Sequence, residues 1–517
     1  MIAAGDNPSG RLHEDNEDLM TDLSITFAGK IKSPNPFWLA SAPPTNSGFQ
    51  VMRAFDAGWG GAVWKTIGEP IVNTTSRYSS VDYNGQRMMG FNNIELITDR
   101  TIEVNLREIY EVKKRFPHHA VIASLMVESK REVWHDIVKR TEDAGADGLE
   151  LNFGCPHGMS ERGMGSAVGQ VPEYCEMITA WVKEVAKTPV LIKLTPNVTD
   201  IAAIGRAAKR GGADGLSAIN TMKSITSVDL NDLVPRPKVH GKSAHGGYCG
   251  PAVKPVALHV VHALVSDPEI GLPVSGIGGI STWQDAAEFI LLGCTSIQAC
   301  TAVMHYGFRI VEDMIDGLSN WMDEKGFHGI EDFRGASLSK MDDWGNLDLN
   351  YKIVASIDPD KCIGCDLCHI ACWDTAHQCI HIEGEGREAP TLAIHEGAMN
   401  FLAPPSHHPI KVHEPVLHTR GITSRNIRVT GDRDSHRAPK PNTSLHASTM
   451  EASPAQRSNR IPYVDEEECV GCNLCWLICP VDNCITMKEV KTGLPDESFN
   501  ERAKRLGSQT ACEAPGK

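Results

Sequence analysis

Two runs of cysteines near the C-terminal end carry the most specific chemistry in the sequence. Cys362, Cys365, Cys368 and Cys372 form the first, and Cys469, Cys472, Cys475 and Cys479 the second; each reads C-x2-C-x2-C-x3-C. Three evenly spaced thiolates can wrap the corners of an iron–sulfur cube, and in two-cluster proteins the fourth crosses to the neighbouring cube. That rule assigns Cys362, Cys365, Cys368 and Cys479 to one [4Fe-4S] cluster. Cys469, Cys472, Cys475 and Cys372 then hold the second. Zinc sites differ, pairing two distant C-x2-C knuckles. Pro480 follows the second run, whereas Trp373 follows the first. Cys379 and Cys484 stand outside the runs and read as small buried residues.

Earlier in the chain, a second group of residues could handle a ring. Asn152-Phe153-Gly154-Cys155-Pro156-His157-Gly158 places a cysteine at the start of a Gly-rich loop. A thiol with a pKa of roughly 8.5 is protonated at neutral pH and can act as a general acid. The competing reading makes Cys155 a packing residue. Lys65 and Lys193 each close an apolar stretch, where an unpaired ammonium is costly. An anionic cofactor would satisfy both lysines, as would structural carboxylates. Asn93, Asn152 and Asn220 offer amides suited to alternating carbonyl and N–H groups. Gly276-Ile277-Gly278-Gly279 and Cys300-Thr301-Ala302 match a phosphate position. Two cubes need a carrier that splits a hydride into single electrons, and flavin is the usual one. Gly163-Met164-Gly165-Ser166 lacks G-x-G-x-x-G spacing, so no nicotinamide site is read there.

These residues must be held by something, and the first three hundred positions supply it. Apolar, β-rich runs fall at 36–42, 61–67, 121–126, 148–153, 190–195, 215–220, 273–280 and 296–303. Helical periodicity fills most intervals, as at 172–186, 201–210 and 282–292. Glycines recur where helix gives way to strand, at Gly58, Gly145, Gly212 and Gly293. Eight alternations predict a (β/α)8 TIM barrel, an α/β fold, with Ser41, Lys65, Asn152, Lys193, Asn220 and Thr301 at or near strand ends. The pattern changes after Gly335. The expected organisation is a leader over 1–22 without structure, the barrel over 23–335, and a two-[4Fe-4S] ferredoxin-like α+β domain over 336–380 plus 461–488. A Pro/His-rich insertion over 381–460 interrupts that domain, with eight Pro, eight His and no Cys. It reads as disordered, and the polar tail over 489–517 does too.

Composition narrows the classes. The chain has 517 residues, 41% hydrophobic and 22% charged, with a net charge of −15. That argues against a nucleic-acid surface. No apolar run approaches the roughly 18 residues that cross a bilayer, and the acidic start does not read as a secretory signal. A cytoplasmic protein is expected.

Longer motifs add a resemblance. Asn93-Ile94-Glu95-Leu96, Cys155-Pro156-His157-Gly158-Met159-Ser160-Glu161-Arg162-Gly163-Met164-Gly165 and Lys193-Leu194-Thr195-Pro196-Asn197-Val198-Thr199-Asp200 resemble the dihydropyrimidine dehydrogenase family, in particular its bacterial catalytic subunits. The resemblance implies a dihydroorotate-dehydrogenase-like barrel that reduces uracil or thymine. FMN would be held by Ser41, Lys65, Lys193, Gly278, Gly279 and Thr301. The pyrimidine would be held by Asn93, Asn152, Asn220 and Thr221. Hydride from flavin N5 would reach C6, and Cys155 would protonate C5. Electrons would come from NAD(P)H through a separate FAD-binding iron–sulfur subunit, in a heterotetramer. Two other readings compete. Dihydroorotate dehydrogenase shares the barrel but usually carries Asn-Pro-x-Pro-Arg after its first lysine, where this chain reads Ile71-Val72-Asn73-Thr74-Thr75-Ser76-Arg77. A ferredoxin-like electron carrier would not need Cys155, both lysines and three asparagines. The family joins its cysteine runs by a short hairpin. Lengthening that loop nearly tenfold costs only about 2 kcal/mol, so the domain can still close around 381–460.

Overall fold

The computed structural model describes residues 21–69, 74–83, 86–156, 163–383, 427–430 and 461–506. The chain divides into two compact units, residues 1–340 with 426–435, and 341–425 with 436–517.

In the first unit, continuous apolar runs form eight short parallel strands. They are β1 (Phe37–Leu39), β2 (Gly61–Ile67), β3 (Ala120–Leu125), β4 (Gly148–Asn152), β5 (Val190–Lys193), β6 (Gly215–Ala218), β7 (Val274–Ile277) and β8 (Ser296–Ala299). Each pairs with the next, and β8 returns to β1 through Ile297 opposite Phe37, which closes the barrel. Every residue of all eight is buried, because side chains pack inside the barrel and under the surrounding helices. The eight expected strands are therefore present, slightly shorter than their runs. Residues 301–303 depart from expectation: they open the helix Thr301–Tyr306. The helices Pro172–Lys183, Ile201–Arg210 and Trp283–Leu291 lie in the expected stretches. Asp200 caps the second by accepting from Ala203 N, and Thr282 caps the third through Asp285 N.

A hairpin of Ile25–Phe27 and Ile31–Ser33 closes the end of the barrel where strands begin. Phe27 and Ile31 are buried there. A Cβ at Gly215, the first residue of β6, would lie 2.6 Å from the Phe27 ring, and one at Gly148, the first of β4, 2.7 Å from Ile31 Cδ1. Burying these two side chains is worth about 1.5–3 kcal/mol each. Solvent access is left to the opposite end, where strands finish. A five-stranded antiparallel sheet contributes there, in the order Met222–Ser224, Gly246–Cys249, Gln86–Asn93, Tyr78–Tyr83 and Ile427–Thr430.

The second unit pairs Lys352–Ile357 with Ile485–Val490, and Ile380–Glu383 with Ile461–Val464. Helices Leu367–Thr375 and Leu474–Ile478 carry parts of the two cysteine runs. The stretch read as an insertion therefore joins the strands of one hairpin, and two of its segments are strands: 381–383 and 427–430. Its remainder, 384–426 and 431–460, lies outside the described residues, as do 1–20 of the leader and 507–517 of the tail. The tail expectation is corrected over 489–506. Strand Ile485–Val490 runs into it, and a helix, Phe499–Arg505, follows. A reciprocal cap explains that helix: Ser498 Oγ accepts from Glu501 N while Glu501 accepts from Ser498 N. Among the described residues, no helix is long and apolar enough to cross a membrane.

Candidate active site

At the open end of the barrel lies a cleft of about 1070 Å3, counting space continuous with solvent. That is the scale of a cofactor site. Ser41, Lys65, Asn93, Asn152, Cys155, Lys193, Asn220, Thr221, Gly278, Gly279 and Thr301 all line it. Eleven residues spread from position 41 to position 301 of the chain thus share one cavity. His157, Glu161 and Arg162, from the loop after Cys155, lie outside the described residues.

The amides are chained together. Asn220 Nδ2 donates to Asn152 Oδ1 at 2.9 Å, and Asn152 Nδ2 donates to Thr66 Oγ1 at 2.9 Å. Thr66 in turn lies 3.1 Å from Ser41 Oγ and 3.0 Å from Ser124 Oγ. Gly154 permits this approach, since a Cβ there would sit 2.4 Å from Asn220 Cβ. On the far side, Asn93 Nδ2 donates to Gly247 O at 3.1 Å. Cys155 is buried in a small apolar cluster with Ile97, Met126 and Met164.

Both lysines have carboxylate partners, the second of the two possibilities foreseen for them. Lys65 Nζ donates to Glu95 Oε1 at 2.6 Å, whereas Lys193 lies 3.5 Å from Glu150 Oε1. Glu95 also accepts from Arg77 Nη1 at 2.9 Å and from Tyr78 Oη at 2.7 Å. Burial, then the Glu95 carboxylate, raise the Tyr78 pKa, so it remains a donor. Three cations, Lys65, Lys193 and Arg77, face two carboxylates, leaving one positive charge in excess. Such a floor favours an anionic ring. Beneath it, Gln298 Nε2 donates to Ser275 Oγ at 3.1 Å and to Glu150 Oε2 at 3.3 Å.

Sequence reasoning missed Tyr78, Phe91, Glu95, Tyr248, Cys249 and Gln298, which also line the cleft. Glu95 had a signal: a carboxylate within a quoted motif, in a chain with two buried lysines to neutralise. Tyr248 and Cys249 had none, because their strand pairs with Gln86–Asn93, far along the chain. Tyr78 and Phe91 lie on neighbouring strands that pair with each other, with Asn84-Gly85 between them in the sequence, a signal for the hairpin but not for its place at the cleft.

In the second unit, the cysteines gather into two cavities of about 320 Å3 each. Cys362, Cys365, Cys368 and Cys479 line one, with Cys484; Cys469, Cys472, Cys475 and Cys372 line the other, with Cys379. The fourth cysteine of each run therefore lies with the first three of the other. Cys379 Sγ is 3.5 Å from Cys372 Sγ. Cys379 and Cys484 are buried as expected, yet each joins a thiol set rather than an apolar core. Among the described residues all cysteines are free thiols.

Comparison with known proteins follows the same division. The dihydroorotate dehydrogenase family model matches residues 23–322, and a 4Fe-4S dicluster domain model matches 361–483. The NAD-dependent dihydropyrimidine dehydrogenase subunit PreA of Escherichia coli is 44% identical over 362 residues, 70% of this chain and 87% of that protein. The chloroplastic dihydropyrimidine dehydrogenase (NADP(+)) of Arabidopsis thaliana is 41% identical over 329 residues, 61% of this chain and 77% of its own length. The chain belongs to the dihydropyrimidine dehydrogenase family. The catalytic subunit of dihydroorotate dehydrogenase B (NAD(+)) from Pyrococcus abyssi is 39% identical over 320 residues, 61% of this chain and 99% of that protein. Its match is shorter and weaker than that of PreA. The chain is thus an oxidoreductase, a dihydropyrimidine dehydrogenase-type catalytic subunit with an iron–sulfur domain.

The residues present fit the groups this family implies. Among the described residues, Gln298 Oε1 is buried without a hydrogen-bond partner and can accept from a ring N–H. A Cβ at Gly278 would meet Ala257 Cβ at 2.7 Å, and one at Gly279 would meet Lys254 N at 2.9 Å. Only glycine fits this turn, whose φ values are +131° and +77°, and which brings bare backbone to the cleft. Each cysteine cavity offers soft sulfur ligands of the kind iron–sulfur clusters take.

Proposed function

We propose that this subunit reduces uracil or thymine to the 5,6-dihydropyrimidine, or runs the reverse reaction. Supporting it is one observation: a buried cysteine, three asparagines and two paired lysines line a single cleft at the strand ends of the barrel. FMN would be held by Ser41, Lys65, Lys193, Gly278, Gly279 and Thr301, and when bound it supplies the hydride that C6 of the pyrimidine accepts. Cys155 holds a proton on Sγ and delivers it to C5. Asn93, Asn152, Asn220 and Thr221 orient the ring through its carbonyl and N–H groups. Amide donors on the C4 carbonyl also stabilise the enolate that develops as C6 becomes saturated. Thr66 fixes the Asn152 amide and Asn152 fixes that of Asn220, so little reorganisation is needed on binding.

Two [4Fe-4S] clusters, one in each cysteine cavity, would relay electrons from a separate NAD(P)H-oxidising, FAD-binding iron–sulfur subunit in a heterotetramer. Free, ligand-spaced thiols suit the reducing cytoplasm. The domain limits read from the sequence, with 381–460 as an insertion, are part of this proposal, except that the second unit extends into the tail as far as the helix Phe499–Arg505.

The test is an anaerobic half-reaction that needs no partner. Flavin absorbance is followed after adding excess dihydrouracil or, separately, dihydroorotate. Bleaching by dihydrouracil is expected. Bleaching by dihydroorotate alone would transfer the chain to pyrimidine biosynthesis, and clusters without flavin would make it an electron carrier.

A further inference from the structure

The two cysteine cavities are built from matching runs, but they meet solvent differently. Aligning C-x2-C-x2-C-x3-C with itself pairs Ile363 with Val470, Cys365 with Cys472, His369 with Trp476 and Ile370 with Leu477. At the first run these residues are buried or half-buried; His369 is 2% exposed and its Nδ1 lies 2.6 Å from Ile380 O. At the second run the apolar ones stand in water: Val470 is 57% exposed, Trp476 49% and Leu477 68%. Among the described residues, none that lines the first cavity is exposed, whereas Cys472, itself one of the four sulfurs of the second, is exposed. Nothing in the packing of the domain requires apolar side chains at these exposed positions, since the equivalent places on the first run are covered. A contiguous acidic run, Glu466, Glu467 and Glu468, is exposed immediately before Cys469.

We propose that Val470, Cys472, Trp476 and Leu477, rimmed by Glu466–Glu468, form the docking face for an electron-transfer protein with a basic rim. The proposal rests on the reading that both cavities hold [4Fe-4S] clusters. It makes the cavity of Cys469, Cys472, Cys475 and Cys372 the outer station, and that of Cys362, Cys365, Cys368 and Cys479 the inner one. Electron transfer between proteins weakens steeply with distance, so an exposed ligand sulfur is the place for contact. Apolar side chains around it exclude water, and like charges at the rim select a partner of opposite sign.

The experiment uses the iron-loaded full chain, reduced anaerobically with dithionite, and cytochrome c as a basic redox probe. Carbodiimide coupling of the two proteins, mapped by mass spectrometry, should give adducts on Glu466, Glu467 and Glu468. Adducts concentrated on Asp360 or Asp482, the exposed acids beside the first cavity, would overturn the proposal. So would coupling of Glu466–Glu468 to lysines of the same chain's barrel or of a second copy. In stopped flow at low salt, Glu467→Lys with Glu468→Lys should slow cytochrome c reduction by about tenfold or more. Trp476→Ser with Leu477→Ser should slow it several-fold, with iron and sulfide unchanged. Asp360→Lys with Asp482→Lys should stay within about twofold; an equal loss there refutes a localised face. Dithionite bypasses the cleft, so a chain inert toward dihydrouracil would still give this coupling pattern.

Discussion

In the barrel, the groups that would handle a flavin and a pyrimidine are already engaged with other residues of the chain. Glu95 holds Lys65, Glu150 faces Lys193, and Thr66 and Asn152 align the amides. The cysteine-bearing unit is built the other way round. Of the ten buried residues in its core, six are cysteines: Cys368, Cys372, Cys379, Cys469, Cys475 and Cys484. Among the described residues, the other four are Val354, Ala355, Ile380 and Ile485, with Ile357, Val464, Val481, Met487 and Val490 partly buried against them. The barrel is packed by its own side chains, whereas the second unit, with so many thiols in its core, would draw stability from clusters bound to them.

The sharpest way to break that contrast is to remove the metal. Chelation under oxidising conditions, or Cys475→Ala, should abolish the unfolding transition of the second unit and leave that of the barrel in place. Calorimetry with hydrogen exchange reads both units at once. Two surviving transitions in the iron-free chain would mean that its aliphatic packing suffices. Next in size is Cys155→Ala, which leaves the preformed cleft intact. Turnover should fall by about 10²–10⁴-fold, the usual contribution of a positioned acid, while flavin content and uracil affinity persist. Unchanged turnover would remove the thiol from the reaction.

A third experiment probes the preformed pairing directly. Glu95→Gln leaves the Lys65 ammonium, 5% exposed, without its counter-charge. Breaking one side of a buried pair costs about 3–5 kcal/mol, and the double variant Lys65→Met/Glu95→Gln should recover part of that loss. Denaturant unfolding of the barrel measures both. Equal loss in the single and double variants would show that packing, not charge, sets the value of this site.

The same contrast explains what could be read in advance. All eight barrel strands announced themselves, because each is a wholly buried run, and four of them, β2, β4, β6 and β8, follow a helix with a glycine just past its end. The crossing of Cys372 and Cys479 followed from spacing alone. By contrast, Tyr248 and Cys249 were illegible: their strand pairs Gly247 with Asn93, over a separation no local pattern records. Tyr78 and Phe91 lie on strands that pair with each other and have Asn84-Gly85 between them in the sequence, a local hairpin signal that does not by itself bring either ring to the cleft. The second run's exposed face was equally hidden, since an apolar residue such as Trp476 or Leu477 carries no mark in the sequence of whether it is buried. The tail helix was missed for another reason. Its sequence, Phe499-Asn500-Glu501-Arg502-Ala503-Lys504-Arg505, is short and mostly polar, with only Phe499 and Ala503 to mark an apolar face, although Ser498 and Glu501 stand at capping-box spacing.

That helix gives the smallest expected effect and refines the account of how the second unit is held. Glu497 accepts from Arg502 Nε at 2.9 Å and from Arg505 Nε at 2.7 Å, and Arg502 also donates to Asn350 Oδ1 at 2.8 Å. Hydrogen bonds from Arg505 and Arg502 hold the Glu497 carboxyl down to about 2, against an ordinary value of 4.5. A carboxylate with a depressed folded-state pKa stabilises the structure above its unfolded value. That contribution is lost as pH falls from 4.5 through about 2. Acidification should therefore fray Phe499–Arg505 before it disturbs the barrel, visible as faster amide exchange confined to 497–506. Glu497→Gln should produce the same fraying at neutral pH and remove the acid dependence. If protection of this helix were insensitive to both, its anchor would instead be the contact of the Phe499 and Trp344 rings, whose centroids lie 5.4 Å apart. The second unit would then owe more to apolar burial than its cysteine-filled core suggests.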